Sequence, residues 1–135
     1  MIVVDTSVWI DFFRDAKTAH VDALAGLIAG DAPIAITDVV LAELLQGARH
    51  DRDAARIERL LAPHGLFELR GADDARRAAS MYRAARAAGH TIRRTLDCLI
   101  ASVCVREDVA IMHADADFDR LALTSNLRIY RPATC

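Results

Sequence analysis

The chain has 135 residues, of which 53% are hydrophobic and 27% are charged, which excludes a disordered chain and fits one folded domain over residues 1–135. Its formal net charge of −2 differs from the basic balance that is usual in nucleic-acid-binding domains. The sequence has neither a signal-peptide pattern nor an apolar run that could span a membrane, and Cys98, Cys104 and Cys135 form no CxxC pair, so we expect a cytoplasmic protein.

Short hydrophobic strands alternate with helices along the chain. Strands are predicted at residues 2–4, 33–36, 66–69, 109–112 and 127–130. Helices are predicted at residues 8–14, 20–29, 38–46, 53–61, 72–88 and 96–105, with Thr37 and Thr95 as the N-caps of the third and sixth. This alternation predicts an α/β fold with a central parallel sheet of about five short strands flanked by helices.

Four acidic residues stand among apolar neighbours, where an unpaired charge is costly. Asp5 follows the first strand, Glu43 lies on an apolar helix, Asp97 is in the first turn of a helix, and Asp115 follows the fourth strand. The carboxyl ends of parallel strands form the usual functional crevice, so we expect the four to converge. A cluster of carboxylates suits Mg²⁺ or Mn²⁺ and indicates phosphate chemistry.

Each acidic residue also has a plain structural interpretation. Asp5 could cap the following helix, although Thr6 and Ser7 are the better neutral caps. Glu43 could face solvent, and Asp97 could simply stabilise the start of its helix. Asp115 and Asp117 form a DxD pair after a strand, which either shares one cation or belongs to an acidic turn.

Motifs for other chemistry are missing from the sequence. It contains no HExxH or HxxxH pair for zinc, no GxGxxG or P-loop for nucleotides, and no GxSxG elbow. His113, beside the acidic cluster, is either a proton shuttle or a structural residue. Trp9, Phe12 and Phe13 stand at helical spacing, as core residues or as the wall of a groove for a partner helix.

Taken together, these segments resemble the PIN-domain family and, more narrowly, the VapC toxins of bacterial type II toxin–antitoxin modules. The resemblance rests on Val3-Val4-Asp5-Thr6-Ser7, on Glu43 in its apolar helix, and on the segments 92–101 and 113–119. It runs along the whole chain. It implies a PIN-like fold, Mg²⁺- or Mn²⁺-dependent endoribonuclease activity, inhibition by a VapB-like antitoxin, and a homodimer that joins the antitoxin in a larger complex.

The resemblance also implies roles for individual residues. Asp5, Glu43, Asp97 and Asp115 match the acidic quartet of the family, Ser7 a supporting hydroxyl and Asp117 an auxiliary acid, with Thr6 added as a further supporting hydroxyl. In the expected mechanism Asp5, Asp97 and Asp115 anchor the cation, and Glu43 binds it directly or through water. Two departures stand out, because many relatives have Thr at the position of His113 and Gly at that of Asp108.

Two further roles are predicted from position alone. Arg93 and Arg94 come just before Asp97 and could bind the phosphates of RNA, or could be ordinary surface arginines. Trp9, Phe12, Phe13 and the helix at residues 53–61 are candidate walls of an antitoxin groove.

Transfer, ribosomal and messenger RNA are all compatible substrates.

Two rival functions remain open at this point. Asp5 ends a first strand as the nucleophile of a phosphatase or phosphotransfer protein does, but such enzymes usually have a second Asp where this chain has Ser7. The second rival function is that of a non-catalytic α/β interaction module, in which the acids would be ordinary surface residues.

Overall fold

A computed structural model describes residues 1–133, and Cys135 lies outside them. Four parallel strands form one sheet in the order β3-β2-β1-β4 within these residues: β1 (Ile2–Val4), β2 (Ile34–Thr37), β3 (Gly65–Phe67) and β4 (Ala110–Met112). Seven helices are found in the same part of the chain: α1 (Thr6–Phe13), α2 (Ala19–Ala29), α3 (Asp38–Gln46), α4 (Asp51–Leu61), α5 (Gly71–Ala87), α6 (Thr95–Glu107) and α7 (Ala116–Leu123). The predicted α/β class and parallel sheet are therefore confirmed.

The central strand and one helix form the middle of the hydrophobic core. Val3 and Val4 of β1 are fully buried because β1 lies between β2 and β4, which explains its β-branched sequence. Helix α6 is apolar on most of its circumference, and Ile100 and Val103 on it are fully buried. Burial raises the pKa of Cys104, also on α6, to about 12, so this thiol stays protonated.

The predicted fifth strand is reduced to a single bridge in the described part of the chain. Ile129 pairs in parallel with Ile111, supported by hydrogen bonds from the Ile111 N–H to the Arg128 carbonyl and from the Tyr130 N–H to the Ile111 carbonyl. Pro132 follows two residues after Tyr130 and has no N–H to donate, so the ladder cannot extend further.

Two helix starts differ from the sequence prediction. Thr95 was expected to be an N-cap, but it is already the first residue of α6, and the extended residue before the helix is Arg94, which makes no capping bond. Helix α7 was not predicted at all, because its eight residues carry only a short apolar pattern. Asp115 caps α7 by accepting a hydrogen bond from the Asp117 N–H. Thr37 caps α3 as predicted.

The turn after α6 accounts for one departure from the family pattern. Asp108 adopts a left-handed conformation with φ of 52°, the conformation for which Gly is the most favourable residue. An Asp there is one of the tolerated substitutes, and the turn still closes through the Val109 N–H, which donates to the Cys104 carbonyl.

Within residues 1–133, no helix is long and apolar enough to cross a membrane.

Candidate active site

The four predicted acidic residues lie at one edge of the molecule, beyond the carboxyl ends of the strands. Asp5 joins β1 to α1, and Asp115 joins β4 to α7. Glu43 is on α3, which follows β2 directly, and Asp97 is in the first turn of α6. Parallel strand order places β1 between β2 and β4, so the elements that follow them meet at this edge.

Three carboxylates of this edge come within reach of a single point. Asp97, Asp115 and Asp117 each offer an oxygen that lies within 4.8 Å of the oxygens of the other two. Asp97 is 2% exposed, and its Oδ2 has no hydrogen-bond partner among the described residues. A buried carboxylate oxygen without a donor is costly unless a cation binds it, so the donor set fits a hard divalent ion.

Glu43 is connected to the same cluster through Arg94. The guanidinium nitrogens of Arg94 lie 3.9 Å from Glu43 Oε2, 3.8 Å from Asp97 Oδ2 and 3.9 Å from Asp115 Oδ2. These distances are too long for good hydrogen bonds, and the Arg94 side chain is 57% exposed. Arg94 therefore marks the point on which three of the carboxylates converge, without satisfying any of them.

Ser7 ties Asp5 to the loop that carries Asp115. The Ser7 Oγ donates to Asp5 Oδ2 at 2.5 Å and accepts from the Ala114 N–H at 3.0 Å. The Ser7 N–H also donates to Asp5 Oδ2 at 3.0 Å, so Asp5 caps α1, one of the roles left open by the sequence. One hydroxyl thus connects the loop after β1 with the loop after β4.

Thr6 holds the fourth carboxylate from the same turn. Its Oγ1 donates to Glu43 Oε1 at 2.7 Å, a contact that spans 37 residues of sequence. Thr6 is itself buried, so its hydroxyl has a fixed position. The supporting positions predicted for Thr6 and Ser7 therefore coincide with direct hydrogen bonds to two members of the acidic quartet.

The concentration of negative charge shifts the acidity of two of these groups. Burial, together with the charges of Asp5, Asp115 and Glu43, raises the pKa of Asp97 to about 7, against a partial opposing effect of Arg94. Burial also raises the pKa of Asp5, although hydrogen bonds from Ser7 oppose the shift. Asp97 therefore needs positive charge nearby to stay fully ionised at neutral pH.

Asp117 is engaged differently from the other acids. Its Oδ2 accepts from the backbone N–H and the Nε of Arg93, both at 3.1 Å, and its Oδ1 accepts from Arg120 Nη1 at 2.7 Å. Burial alone would raise the pKa of Asp117, but these bonds outweigh it and lower the pKa below its ordinary value. With both oxygens bound to arginines, Asp117 anchors the segment before α6. Arg120 and the i,i+3 spacing of this pair were missed because α7 was not predicted.

Arg93, one of the two predicted phosphate contacts, binds the acidic loop. Its Nη2 donates to Asp115 Oδ1 at 2.8 Å, in addition to the contacts with Asp117. The side chain is 69% exposed, so its remaining N–H groups face solvent beside the cluster.

His113 organises the loop that carries Asp115. Its Nδ1 accepts from the Asp115 N–H at 3.0 Å, so the ring proton is on Nε2, which lies 3.2 Å from Asp119 Oδ1. The ring is 6% exposed and packs against Phe118 with centroids 5.2 Å apart. These contacts favour the structural interpretation of His113, since one ring nitrogen is bound by the loop and the other contacts Asp119 of α7.

The aromatic residues of α1 fall into two classes. Trp9 is 1% exposed and packs in the core, as ordinary core packing predicts, so it cannot line a surface groove. Phe12 is half-buried against Trp9, and Phe13 is 37% exposed. Phe13 lines a shallow cavity of about 230 Å³ between α1 and α4, together with Ile57 and Leu60.

Comparisons with known proteins agree with this geometry. The model of the PIN domain family matches residues 2–123. Ribonuclease VapC11 of Mycobacterium tuberculosis is 39% identical over 129 residues, which cover 95% of this chain and 96% of that protein. In the crystal structure of VapBC2 from Rickettsia felis bound to a promoter DNA fragment, a matching chain has a TM-score of 0.75 at 21% identity, with 96% of this chain and 98% of that chain covered. A chain of VapBC-5 from Mycobacterium tuberculosis has a TM-score of 0.68 at 26% identity, with 96% of both chains covered. This chain therefore belongs to the PIN-domain family and, within it, to the VapC ribonucleases.

Proposed function

We propose that this chain is a divalent-metal-dependent endoribonuclease that hydrolyses RNA phosphodiester bonds. The observation that carries the proposal is Asp97, a buried carboxylate at the point where other acids converge, whose Oδ2 accepts no hydrogen bond from any residue in 1–133. The membership in the VapC ribonucleases supports hydrolysis of RNA as the reaction. The phosphatase alternative fits less well, because the position where such enzymes have a second Asp holds Ser7, which donates a hydrogen bond to Asp5.

Asp97 and Asp115, which lie within reach of one point, would hold Mg²⁺ or Mn²⁺ together with Asp5, and Glu43 would bind directly or through water. Asp117, the third acid within reach, would be an auxiliary ligand, since both its oxygens already accept from arginines. Such an ion, when bound, makes hydroxide accessible near neutral pH and offsets the charge that develops on the phosphate oxygens. Ser7 and Thr6 orient Asp5 and Glu43, so the carboxylates are already arranged before RNA arrives. The interaction-module alternative does not account for acids as buried as Asp5 and Asp97, which are 3% and 2% exposed.

Arg94 occupies the position of a counter-charge in this arrangement. Its guanidinium lies about equally far from Glu43, Asp97 and Asp115, where it offsets part of their repulsion. We propose that Arg94 turns towards an RNA phosphate once a cation takes over this charge, which its exposed side chain permits. Arg93 stays with Asp115 and Asp117 and presents its free N–H groups to the backbone of the RNA.

Cleavage of total cellular RNA by the purified protein, freed of any partner, tests the proposal. We expect discrete fragments with Mg²⁺ or Mn²⁺, none with EDTA, and none from Asp5→Asn under any condition. Asp22→Asn, an acid of α2 outside the cluster, serves as the matched control and should cleave as the wild type does. Cleavage that persists in EDTA or in Asp5→Asn would contradict the metal-dependent mechanism.

The biological role that fits this activity is that of a toxin paired with an antitoxin. Solved structures of similar fold are VapBC complexes. A cavity on the surface of α1 and α4 is lined by the apolar side chains of Phe13, Ile57 and Leu60 and by the charged Asp53 and Arg56. We propose that a VapB-like antitoxin covers this surface and inhibits the enzyme. A homodimer and a cytoplasmic location stay predictions; light scattering of the purified chain tests the first.

A further inference from the structure

A cavity of about 680 Å³ opens directly beside the acidic quartet and shares Asp115 with it. Its other walls come from α2, from the loop after β4, from α7 and from the segment after the last bridge to β4. The lining side chains that matter below are His20, His113, Asp119, Tyr130, Arg131 and Pro132. A volume of this size is within the range of about 300–1,000 Å³ usual for small-ligand sites.

The segment that carries Tyr130 is held firmly against the sheet. The Tyr130 N–H donates to the Ile111 carbonyl at 2.8 Å, and the Ile111 N–H donates to the Arg128 carbonyl at 3.0 Å. Ile111 belongs to β4, and β4 ends just before the loop of Asp115. This pairing therefore places Tyr130 and Arg131 at the same edge of the sheet as the acidic cluster.

The polar groups of the cavity are arranged around Asp119. Its Oδ1 lies 3.2 Å from His113 Nε2 and accepts from Arg131 Nη2, also at 3.2 Å. Arg131 is 72% exposed, so most of its N–H donors are free to meet a ligand. Burial and the neighbouring His113 lower the pKa of His20, so its ring is neutral at pH 7. The cavity thus combines the rings of His20 and Tyr130 with the exposed guanidinium of Arg131, beside the carboxylates of Asp115 and Asp119.

We propose that this cavity binds one unpaired nucleotide of the RNA, adjacent to the phosphodiester at the acidic quartet. Its base stacks on the rings of Tyr130 and His20, and Arg131 binds a neighbouring phosphate. Tyr and His are among the residues on which splayed-out RNA bases stack, and Arg suits phosphate oxygens. The proposal rests on the ribonuclease function above and assigns this cavity as the subsite for one nucleotide next to the cleaved bond.

Binding of short RNA without catalysis tests this subsite. Fluorescein-labelled hexamers of A, C, G and U are titrated by anisotropy against Asp97→Asn protein in EDTA, a background that lowers the repulsion of phosphates and cannot cleave. We expect Tyr130→Ala to raise the Kd by about 5- to 150-fold, as for loss of one stacked base. Tyr130→Phe should keep the Kd, because stacking needs the ring alone.

Matched controls are available for both kinds of contact. Tyr82, the other tyrosine of the chain, is on α5 next to Arg86, and Tyr82→Ala should leave the Kd within twofold. Arg131→Ala should lower the slope of log Kd against log salt by about 0.7, the value for one contact with single-stranded phosphate. Arg128→Ala, whose side chain pairs with Asp108, should leave that slope unchanged.

The results separate this subsite from the proposed function. If none of the hexamers binds, or if Tyr130→Ala and Tyr82→Ala bind them equally, the subsite is refuted while metal-dependent cleavage by the wild type is untouched. If the wild type fails to cleave total RNA, the proposed function fails whatever the hexamers do. A selective loss in Tyr130→Ala that Tyr130→Phe restores supports the subsite.

Discussion

Asp97 is the residue on which the electrostatics of the site depend. It is buried, its Oδ2 lacks a donor among the described residues, and three neighbouring acids disfavour its charge. Because its pKa is about 7 in the folded protein and near 4 in the unfolded chain, the folded state holds the proton more tightly. This difference destabilises the metal-free protein as pH rises from about 4 to about 7 and levels off above that range.

Replacing this carboxylate by its neutral isostere should therefore stabilise the metal-free protein. We predict that Asp97→Asn raises the free energy of unfolding at pH 8 by about 1–2 kcal/mol in EDTA, a value reduced for partial solvent screening. The gain should largely disappear at pH 4, where the wild-type carboxyl is protonated in the folded protein and about half protonated in the unfolded chain. Urea unfolding at the two pH values measures the effect. Equal stability of the wild type and Asp97→Asn at pH 8 would contradict the raised pKa assigned to Asp97.

Ser7 connects two loops through one hydroxyl, so its loss should affect both stability and activity. We predict that Ser7→Ala lowers the free energy of unfolding by about 0.5–1.5 kcal/mol, the net contribution of a typical hydrogen bond, because the exposed Ala114 N–H can bind water when it loses its acceptor. Cleavage should fall by about 10- to 100-fold, since Asp5 loses its orienting bond.

Thr18→Ala is the control for this change. The Thr18 hydroxyl caps α2 by accepting from the Val21 N–H, away from the acidic cluster. Its removal should lower the free energy of unfolding by about 1 kcal/mol. Cleavage rates compared at equal folded fraction distinguish the two variants. If Ser7→Ala cleaves RNA as fast as Thr18→Ala does, Ser7 does not support catalysis.

At the scale of elements, α5 and α6 are joined by a buried ionic network away from the site. Asp74 of α5 is fully buried and accepts from the Arg70 N–H, from Arg77 and from Arg106 of α6. Ser102 Oγ donates to the Asp74 carbonyl at 3.1 Å. This network holds α6, and hence Asp97, against the rest of the fold.

Removing the acid should take the carboxylate partner from Arg77 and leave Arg106 with only Glu107 and the Glu68 carbonyl. We predict that Asp74→Ala lowers the free energy of unfolding by about 3–5 kcal/mol. The neighbouring Asp73 pairs with Arg76 on the surface, so Asp73→Ala should cost less than about 1 kcal/mol. Thermal and urea unfolding measure both variants. A loss in Asp74→Ala as small as in Asp73→Ala would show that the network is dispensable.

Sequence patterns were informative where local and tertiary signals agreed. The β-branched run of β1 and the Thr37 cap of α3 were readable because neighbouring residues alone specify them. Helix α7 was missed, since its buried Phe118 and Leu121 are too few for a period. The acids could be selected from their apolar surroundings, but the bonds of Thr6 to Glu43 and of Ser7 to Ala114 join residues far apart in the chain, and no sequence pattern encodes them.

For the whole molecule, the active edge and the proposed antitoxin surface are separate. Phe13 and Leu60, 37% and 46% exposed, line the cavity of α1 and α4, while the acids lie beyond the strand ends. We predict that Leu60→Asp weakens antitoxin binding at least tenfold, because it places a charge where the bound antitoxin would bury an apolar side chain. Cleavage by the free protein should be unchanged. Leu123→Asp on α7, where Leu123 is 72% exposed, is the control and should bind normally. Calorimetric titration with the cognate antitoxin decides; equal affinities would move the interface elsewhere.

The central claim is that carboxylates from separate elements form one cation site. Calorimetric titration of Mn²⁺ into the metal-free protein tests it most directly, with Asp97→Asn and Asp73→Asn run beside the wild type. We predict saturable binding to the wild type and to Asp73→Asn, and loss of that binding in Asp97→Asn. No saturable binding to the wild type, or equal binding to all three proteins, would contradict the account.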